Sequence, residues 1–527
     1  MSVPTTRAAA SRTIAHPAAV DLNRAHLAAA GIPSEPAPVR IVHLGLGAFH
    51  RAHQAWYTQR AGDGWGIAAF TGRSPRAAET LAAQDGLYAL VARGAAGDAV
   101  EVISSISEAR DGADLARLTE LLADPDVGVV TLTITEAGYR LGADGALDRD
   151  DADVRSDVEA LRSASVRPSP QARGMDHARA ESGDSALGSA DPLAPGEGGA
   201  GAASAADTGA REAAAPETPQ TPDGVTATRG PVTPLGRLLL GLAARRAAGA
   251  GPVAVVSCDN VPANGSVTRR ALTALAHEVD GALAQWVDEN VSFVSTSVDR
   301  ITPAHTGEVD AVVEAGWHDR ATVVTEPFAD WVLEGDFPAG RPAWHAVGAR
   351  FVDDIGPWED RKLWLLNGAH TILAVAGPAR GHATVADAFA DDACHALVEA
   401  FWAEAVTCLP DDVETADYRV QLAERFANPR IVHRLDQIAA ETTTKIRYRI
   451  VPIAARLRER GEDAAACADA LASWIAAAVA GIPAPDREAE DVRAAASTPD
   501  PVAALLHLVG AGLDSEFIAR VRARAAV

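Results

Sequence analysis

The chain has 527 residues, of which 48% are hydrophobic and 22% charged, and a formal charge of −24. That length exceeds one ordinary core and predicts two domains of a globular protein. The acidic balance argues against a nucleic-acid partner, which needs a basic face, and no apolar run is long enough to cross a bilayer.

In chain order, residues 1–37 read as a leader with one helical stretch, Asp21 to Ala30, and without the continuous apolar core of a signal peptide. Val39 to Leu44 reads as a strand ending in a glycine turn, Gly45-Leu46-Gly47, with a helix following through His53 to Ala61. A second strand is expected at Gly66 to Phe70, and Ser74 is placed to cap a helix running to Ala83. Val127 to Ile134, Pro252 to Ser257 and Val291 to Ser295 are β-branched runs of the kind buried on both faces of a sheet. Strands alternating with helices predict a Rossmann-type, doubly wound, mostly parallel sheet over residues 38–350. Within it, residues 163–230 are rich in Ala, Gly, Ser, Pro and Asp, and read as a disordered insertion. Such a stretch is more often an inert linker than a site that recruits a partner. From 351 to 527 the pattern is helical, at Lys362–Gly377, Val385–Ala405, Ala464–Ala480, Val502–Leu508 and Asp514–Ala525. The fold class is therefore α/β, with a Rossmann-type N-terminal domain and a mainly α-helical C-terminal domain. The four cysteines are scattered with no CxxC pair. This spacing suits a reducing, cytoplasmic setting and offers no metal-ligand pattern.

Two segments carry chemistry. A glycine turn after a strand places backbone N–H groups where a pyrophosphate is held. His50 stands where a third glycine is usual, and the turn alone is equally compatible with a structural role. The second strand ends in Thr71-Gly72-Arg73 with no acidic residue for a ribose hydroxyl; Arg73 would accommodate a 2′-phosphate, leaving NAD and NADP both open. The second segment runs from Trp358 to Ala376. At roughly 100° per residue its leucines, Trp364, Ala369 and Ile372 point all round a helix, which is the mark of burial. Lys362, Asn367 and His370 nevertheless share an arc of about 140° on it. Of the 47 Lys and Arg residues only Lys362 and Lys445 are lysines. Arginine cannot exchange protons near neutral pH, whereas a desolvated lysine can. A lysine base for a hydroxyl proton, beside an asparagine that stabilises the developing alkoxide, is the equipment for oxidising a secondary alcohol. Glu359, one turn earlier, is placed either to pass the proton to solvent or to pair with Lys362 at the surface.

At these residues the chain resembles the polyol-specific long-chain dehydrogenase/reductase (mannitol dehydrogenase) family, on the side of its mannitol 2-dehydrogenase and fructuronate reductase branches. The family pattern Lys-x4-Asn-x2-His stands at Lys362, Asn367 and His370, and the pattern GxGxFxRxHQ at Gly45, Gly47, Phe49, Arg51, His53 and Gln54. The segments Gln84 to Tyr88, Thr133 to Tyr139, Ser257 to Gly265, Val298 to Pro303 and Thr325 to Phe328 also resemble family motifs. The resemblance implies a cleft site between the two domains, no metal, and Lys362 as general acid/base. It implies that Asn260 joins Asn367 in polarising the reacting oxygen and that His370 bonds a substrate hydroxyl. The dinucleotide, NAD with NADP possible, would lie on Leu44, Gly45, Leu46, Gly47, Ala48, Phe49 and Arg51, with Arg73, Thr135 and Asp299. Substrate would meet Val298, Asp299, Arg434, Gln437 and Lys445. Where the family commonly has Asp-Gly-Ser-Gln/Ser-Lys, this chain reads Glu441-Thr442-Thr443-Thr444-Lys445, at the loop expected to meet the far end of the sugar. The expected partners are a small sugar alcohol, ketose or keto-sugar acid, with no nucleic acid and no membrane, for a monomer or small homo-oligomer. Mannitol/fructose and mannonate/fructuronate interconversion lead. A mannitol 1-phosphate 5-dehydrogenase and a catalytically silent nucleotide-binding scaffold are the alternatives.

Overall fold

The computed structural model describes residues 19–33, 35–165, 230–305, 307–482, 485–510 and 513–525. The insertion read over residues 163–230 thus lies, apart from its two ends, outside the described residues. The main sheet has eight strands: β1 (Val39–Leu44), β2 (Gly66–Phe70), β3 (Ile106–Arg110), β4 (Val129–Leu132), β5 (Val253–Ser257), β6 (Val291–Asp299), β7 (Asp330–Glu334) and β8 (Arg350–Phe351). Their spatial order is β8-β7-β6-β5-β4-β1-β2-β3. β3 through β6 run parallel, β7 pairs antiparallel with β6, and β8 runs parallel to β7. Strands β2, β4 and β5 are buried along their whole length, as helix-covered parallel strands must be. The chain steps outward through β1, β2 and β3, then returns across β1 to β4. The connections at the carboxyl ends of β1 and β4 therefore diverge, which opens the crevice where ligands of such sheets bind.

Three local features differ from the sequence reading. Residues 19–33 are integrated into the domain: Val20–Asp21 pairs with Trp317–His318, and Leu22 and Leu27 pack on Leu87. A three-stranded sheet of Tyr88–Gly94, Gly97–Ile103 and Val323–Thr325 carries no alternation distinct enough to be read beforehand. The stretch Val385–Ala405 is two helices, Val385–Phe389 and Asp392–Val406, because the Asp391 carboxylate caps the second by accepting from the Ala393 and Cys394 amides.

The helical part packs around a cluster that includes Trp364, Leu373, Phe401, Trp402 and Leu471. At its centre runs one long segment in three parts: α-helix Gly356–Arg361, π-helix Lys362–Gly368 and α-helix Ala369–Ala379. Gly368 permits the close approach of Phe401, since a Cβ there would lie 2.7 Å from the ring. Two ion-pair groups fasten this part to the sheet. Arg361 pairs with Asp330 of β7, Arg350 of β8 bridges Asp330 and Glu414, and Arg425 grips both Asp299 of β6 and Glu326.

Candidate active site

The carboxyl ends of β1, β4, β5 and β6 and the π-helical segment enclose a cavity of about 770 Å³. Gly45, Gly47, Ala48 and Phe49 line one part; Thr135, Asn260, Val298 and Asp299 line the middle; Lys362, Asn367, His370, Gln437 and Lys445 line the rest. These thirteen positions, scattered over the sequence, are expected site residues that the fold brings to one cavity.

Gly45 has φ +110, and a Cβ there would lie 2.1 Å from the Thr133 carbonyl oxygen. Glycine is thus required by the close approach of the turn after β1 to Thr133, the residue that follows β4. The Gly45 and Leu46 amides both donate to the Phe70 carbonyl, which fixes the turn. Gly47 then starts the helix Ala48–Ala52 without any side-chain cap. A glycine-lined turn with no carboxylate suits the pyrophosphate of a dinucleotide.

Asp259 clamps the opposite wall. It accepts from the Thr135 and Ile134 amides at 2.7 and 3.1 Å and from the Tyr139 hydroxyl at 2.7 Å. Thr135 is held at φ +65, an unusual conformation for a β-branched residue, and this clamp supports it. Asn264 bridges Asp259 and Thr296 through three hydrogen bonds, so the turn carrying Asn260 is rigid.

Lys362 Nζ donates to Asn260 Oδ1 at 2.6 Å and to the Val298 carbonyl at 2.8 Å. An ammonium has three donors, so one remains for a substrate oxygen. Burial pushes the Lys362 pKa below its ordinary 10.5, with Asp299 the main opposing influence. The π-helix explains how Lys362 and Asn367 meet the same space: its i→i+5 bonding makes residues five apart neighbours on one face. The α-helical step places them only on a broad arc of about 140°. The Asn367 side-chain amide has no hydrogen-bond partner among the described residues, and the buried His370 ring leaves Nε2 unpartnered there too. Burial and then neighbouring His433 hold the His370 pKa well below its usual value, so the ring is neutral. Glu359 accepts from the Ala263 amide at 3.0 Å; burial raises its carboxyl pKa, an effect that Lys362 partly offsets.

Other expected residues go elsewhere. Leu44 is buried in the sheet. Leu46, Arg51 and Arg73 line a separate recess of about 580 Å³ at the end of β2, together with Arg76 and Arg320. The Arg51 guanidinium is already committed there to the Gly47 and Ala321 carbonyls. Arg434 does not reach the cavity, because it precedes the short helix Leu435–Ile438 and is tied to Asp436 beside a different groove. Asp299 lines the cavity, but both its oxygens are taken by Arg425, at 2.7 and 3.0 Å, and one also by the Tyr418 hydroxyl. Burial alone would raise the Asp299 pKa, but Arg425 brings it below its ordinary value. The sequence reading missed Arg425, Asp259, His433 and Arg449, all in the cavity wall. Asp259 had a signal, as the neighbour of Asn260. The arginines had none, because arginine is this chain's default cation.

Among the described residues no group of three or more His, Cys, Asp or Glu is arranged to hold a metal ion, and no helix is long and apolar enough to cross a membrane.

Comparison with known families matches residues 39–346 to the mannitol dehydrogenase Rossmann domain and residues 354–519 to the mannitol dehydrogenase C-terminal domain. The chain belongs to the mannitol dehydrogenase family of oxidoreductases. Its relatives in that family include D-mannonate oxidoreductase of Escherichia coli, 32% identical over 80% of this chain and 76% of that protein. Mannitol 2-dehydrogenase of Cereibacter sphaeroides is 33% identical over 78% of this chain and 75% of its own length. Among solved structures, the Pseudomonas fluorescens mannitol 2-dehydrogenase ternary complex with NAD and D-mannitol is similar, with a TM-score of 0.64 and 29% identity, covering 93% of this chain and 92% of that one.

Proposed function

We propose that this chain is an NAD-dependent dehydrogenase that interconverts a secondary alcohol of a sugar alcohol or sugar acid with the corresponding ketone. The observation that carries this reading is the enclosed Lys362 ammonium, held by Asn260 and the Val298 carbonyl with its third donor left over, beside an Asn367 amide that has no partner among the described residues. Gly45, Gly47, Ala48, Phe49 and Thr135 would hold the dinucleotide, which supplies the hydride acceptor when bound. Neutral Lys362 takes the hydroxyl proton during oxidation, and the Asn367 amide donates to the oxygen as it gains charge. Asn260 fixes Lys362 through its carbonyl oxygen, which leaves its own amide to face the same oxygen. His370 Nε2 meets another hydroxyl of the sugar. Glu359 is the outlet for the proton. Val298, Asp299, Gln437 and Lys445 line the substrate end.

A second cofactor reading rests on the recess at the end of β2. Arg51, Arg73, Arg76 and Arg320 line it, without a carboxylate among its described lining residues. An arginine at this place suits a 2′-phosphate, so NADP is the second reading.

The test is a reduction screen that follows NADH and NADPH absorbance with fructose, fructuronate, tagaturonate and fructose 6-phosphate. Turnover of one ketose establishes the activity, and the faster nucleotide decides the cofactor. No turnover with any of them, alongside measurable dinucleotide binding, would contradict the reading and favour a silent nucleotide-binding scaffold.

A further inference from the structure

Arg449 and Lys445 stand four residues apart on the helix Thr442–Arg449, and both line the cavity that holds Lys362. Residues so spaced share a helix face. Arg449 Nη1 donates to the Asn367 carbonyl at 3.1 Å and to Thr371 Oγ1 at 3.0 Å, which anchors the guanidinium against the segment bearing Lys362. Its other nitrogens have no partner among the described residues, and no carboxylate there pairs with it. Lys445 Nζ donates only to the Ile438 carbonyl, at 2.7 Å, and likewise has no ion-pair partner among those residues.

The contrast with the other enclosed cations is what makes the pair informative. Arg361 is neutralised by Asp330, and Arg425 by both Asp299 and Glu326. Arg300, which also lines the cavity, and Arg245 have no ion pair among the described residues, but all three guanidinium nitrogens of each donate to backbone carbonyls. Arg449 has neither arrangement. The remaining carboxylates of the cavity are Glu136 and Asp259, and the latter is occupied by Tyr139 and two backbone amides. Glu441 and Asp486 act on Lys445 only from a distance, without an ion pair, and no acid opposes Arg449, so this end of the cavity presents positive charge in a chain whose net charge is −24. Burial alone, with no opposing acid nearby, brings the Arg449 pKa down to about 10. An enclosed guanidinium without a counter-charge is costly, and the cost is recovered when a ligand supplies the anion.

We infer that Arg449 and Lys445 bind the terminal carboxylate of the substrate, which makes a keto-sugar acid and its aldonate the preferred pair over a neutral ketose and polyol. The inference rests on the dehydrogenase reading and names the substrate class of that site. With Nη1 already committed, Arg449 retains a planar edge of N–H donors, which matches the flat, singly charged carboxylate. Lys445 adds a point charge from the same face. Gln437, on the same wall, is left to meet hydroxyls of the chain between the carboxylate and the reacting carbon.

The test compares kcat/KM for fructuronate, fructose and fructose 6-phosphate in the full-length protein and in Arg449→Gln, Arg449→Lys and Lys445→Gln. Dinucleotide binding, read by fluorescence titration, reports on the fold of each variant. The expected result is a clear preference of the unaltered protein for fructuronate. The ratio of fructuronate to fructose efficiency should fall about 10- to 100-fold in Arg449→Gln and in Lys445→Gln, mainly through KM, with a smaller fall in Arg449→Lys, which keeps the charge. Equal losses with both ketoses would mean that Arg449 only braces the Asn367 segment, and would overturn the inference. So would preferred reduction of fructose, which leaves the dehydrogenase reading intact, or of fructose 6-phosphate, which would make the pair a phosphate site. Absence of turnover with all three would remove the dehydrogenase reading and the inference together.

Discussion

Lys362 is set up to change protonation state where an arginine could not. Burial lowers its pKa from 10.5, while Asp299 and, more weakly, Asp330 and Glu359 pull the other way. With Lys362 as the proposed base, the neutral amine accepts the hydroxyl proton, so alcohol oxidation should accelerate as pH rises through that lowered pKa, and ketone reduction, which needs the ammonium, should slow. Rates measured in both directions between mildly acidic and alkaline pH, with chemistry rate-limiting, check the sign. Arg425 works at the same scale through structure. It holds Asp299 and Glu326 in a buried network, and Arg425→Met would leave two enclosed carboxylates uncompensated. The expected loss is about 3–5 kcal/mol of stability in a urea melt. Lys362, Asn367 and His370 could be singled out in the sequence because a rare lysine, an amide and an imidazole interrupt an apolar helix, whereas Asn260 entered only through the family resemblance. Arg425 and Arg449 could not, since their partners lie more than 75 positions away.

The glycine turn and the π-helix are the two elements that shape the cavity. They make different demands on sequence. At Gly45 a side chain would strike the Thr133 backbone, whereas a Cβ at Gly47 meets only the Gly45 carbonyl, at 3.6 Å. Gly45→Ala should therefore lower the melting temperature as well as dinucleotide affinity. Gly47→Ala should leave the melting temperature within a degree or two and weaken dinucleotide binding, because the space it fills is the ligand's. Thermal melts with and without NAD, together with a binding titration, separate the two effects. The strand, the turn and the existence of the following helix were legible in the sequence. The π-bonded stretch was not, because hydrophobic periodicity reports which faces are buried and not whether one extra residue has been fitted into a turn. That extra residue is what brings Lys362 and Asn367 onto one face.

Across the whole molecule, the reversal of strand order between β1 and β4 places the crevice, and the helical part closes it. The alternation of buried strands and helices gave the fold class from sequence alone. The three-stranded side sheet and the docking of residues 19–33 depend on long-range pairing that no local pattern announces. The two halves of the site meet through Arg361–Asp330 and the Arg425 network, so Lys362 and the glycine turn keep their relation only while the halves stay docked. The most direct test of the account is the turnover of Lys362→Ala, with dinucleotide binding measured alongside. Loss of about 10²- to 10⁴-fold or more in kcat for oxidation, with dinucleotide affinity close to that of the unaltered protein, is the predicted result. Turnover within a few-fold of the unaltered protein would contradict the assignment of Lys362 as the base.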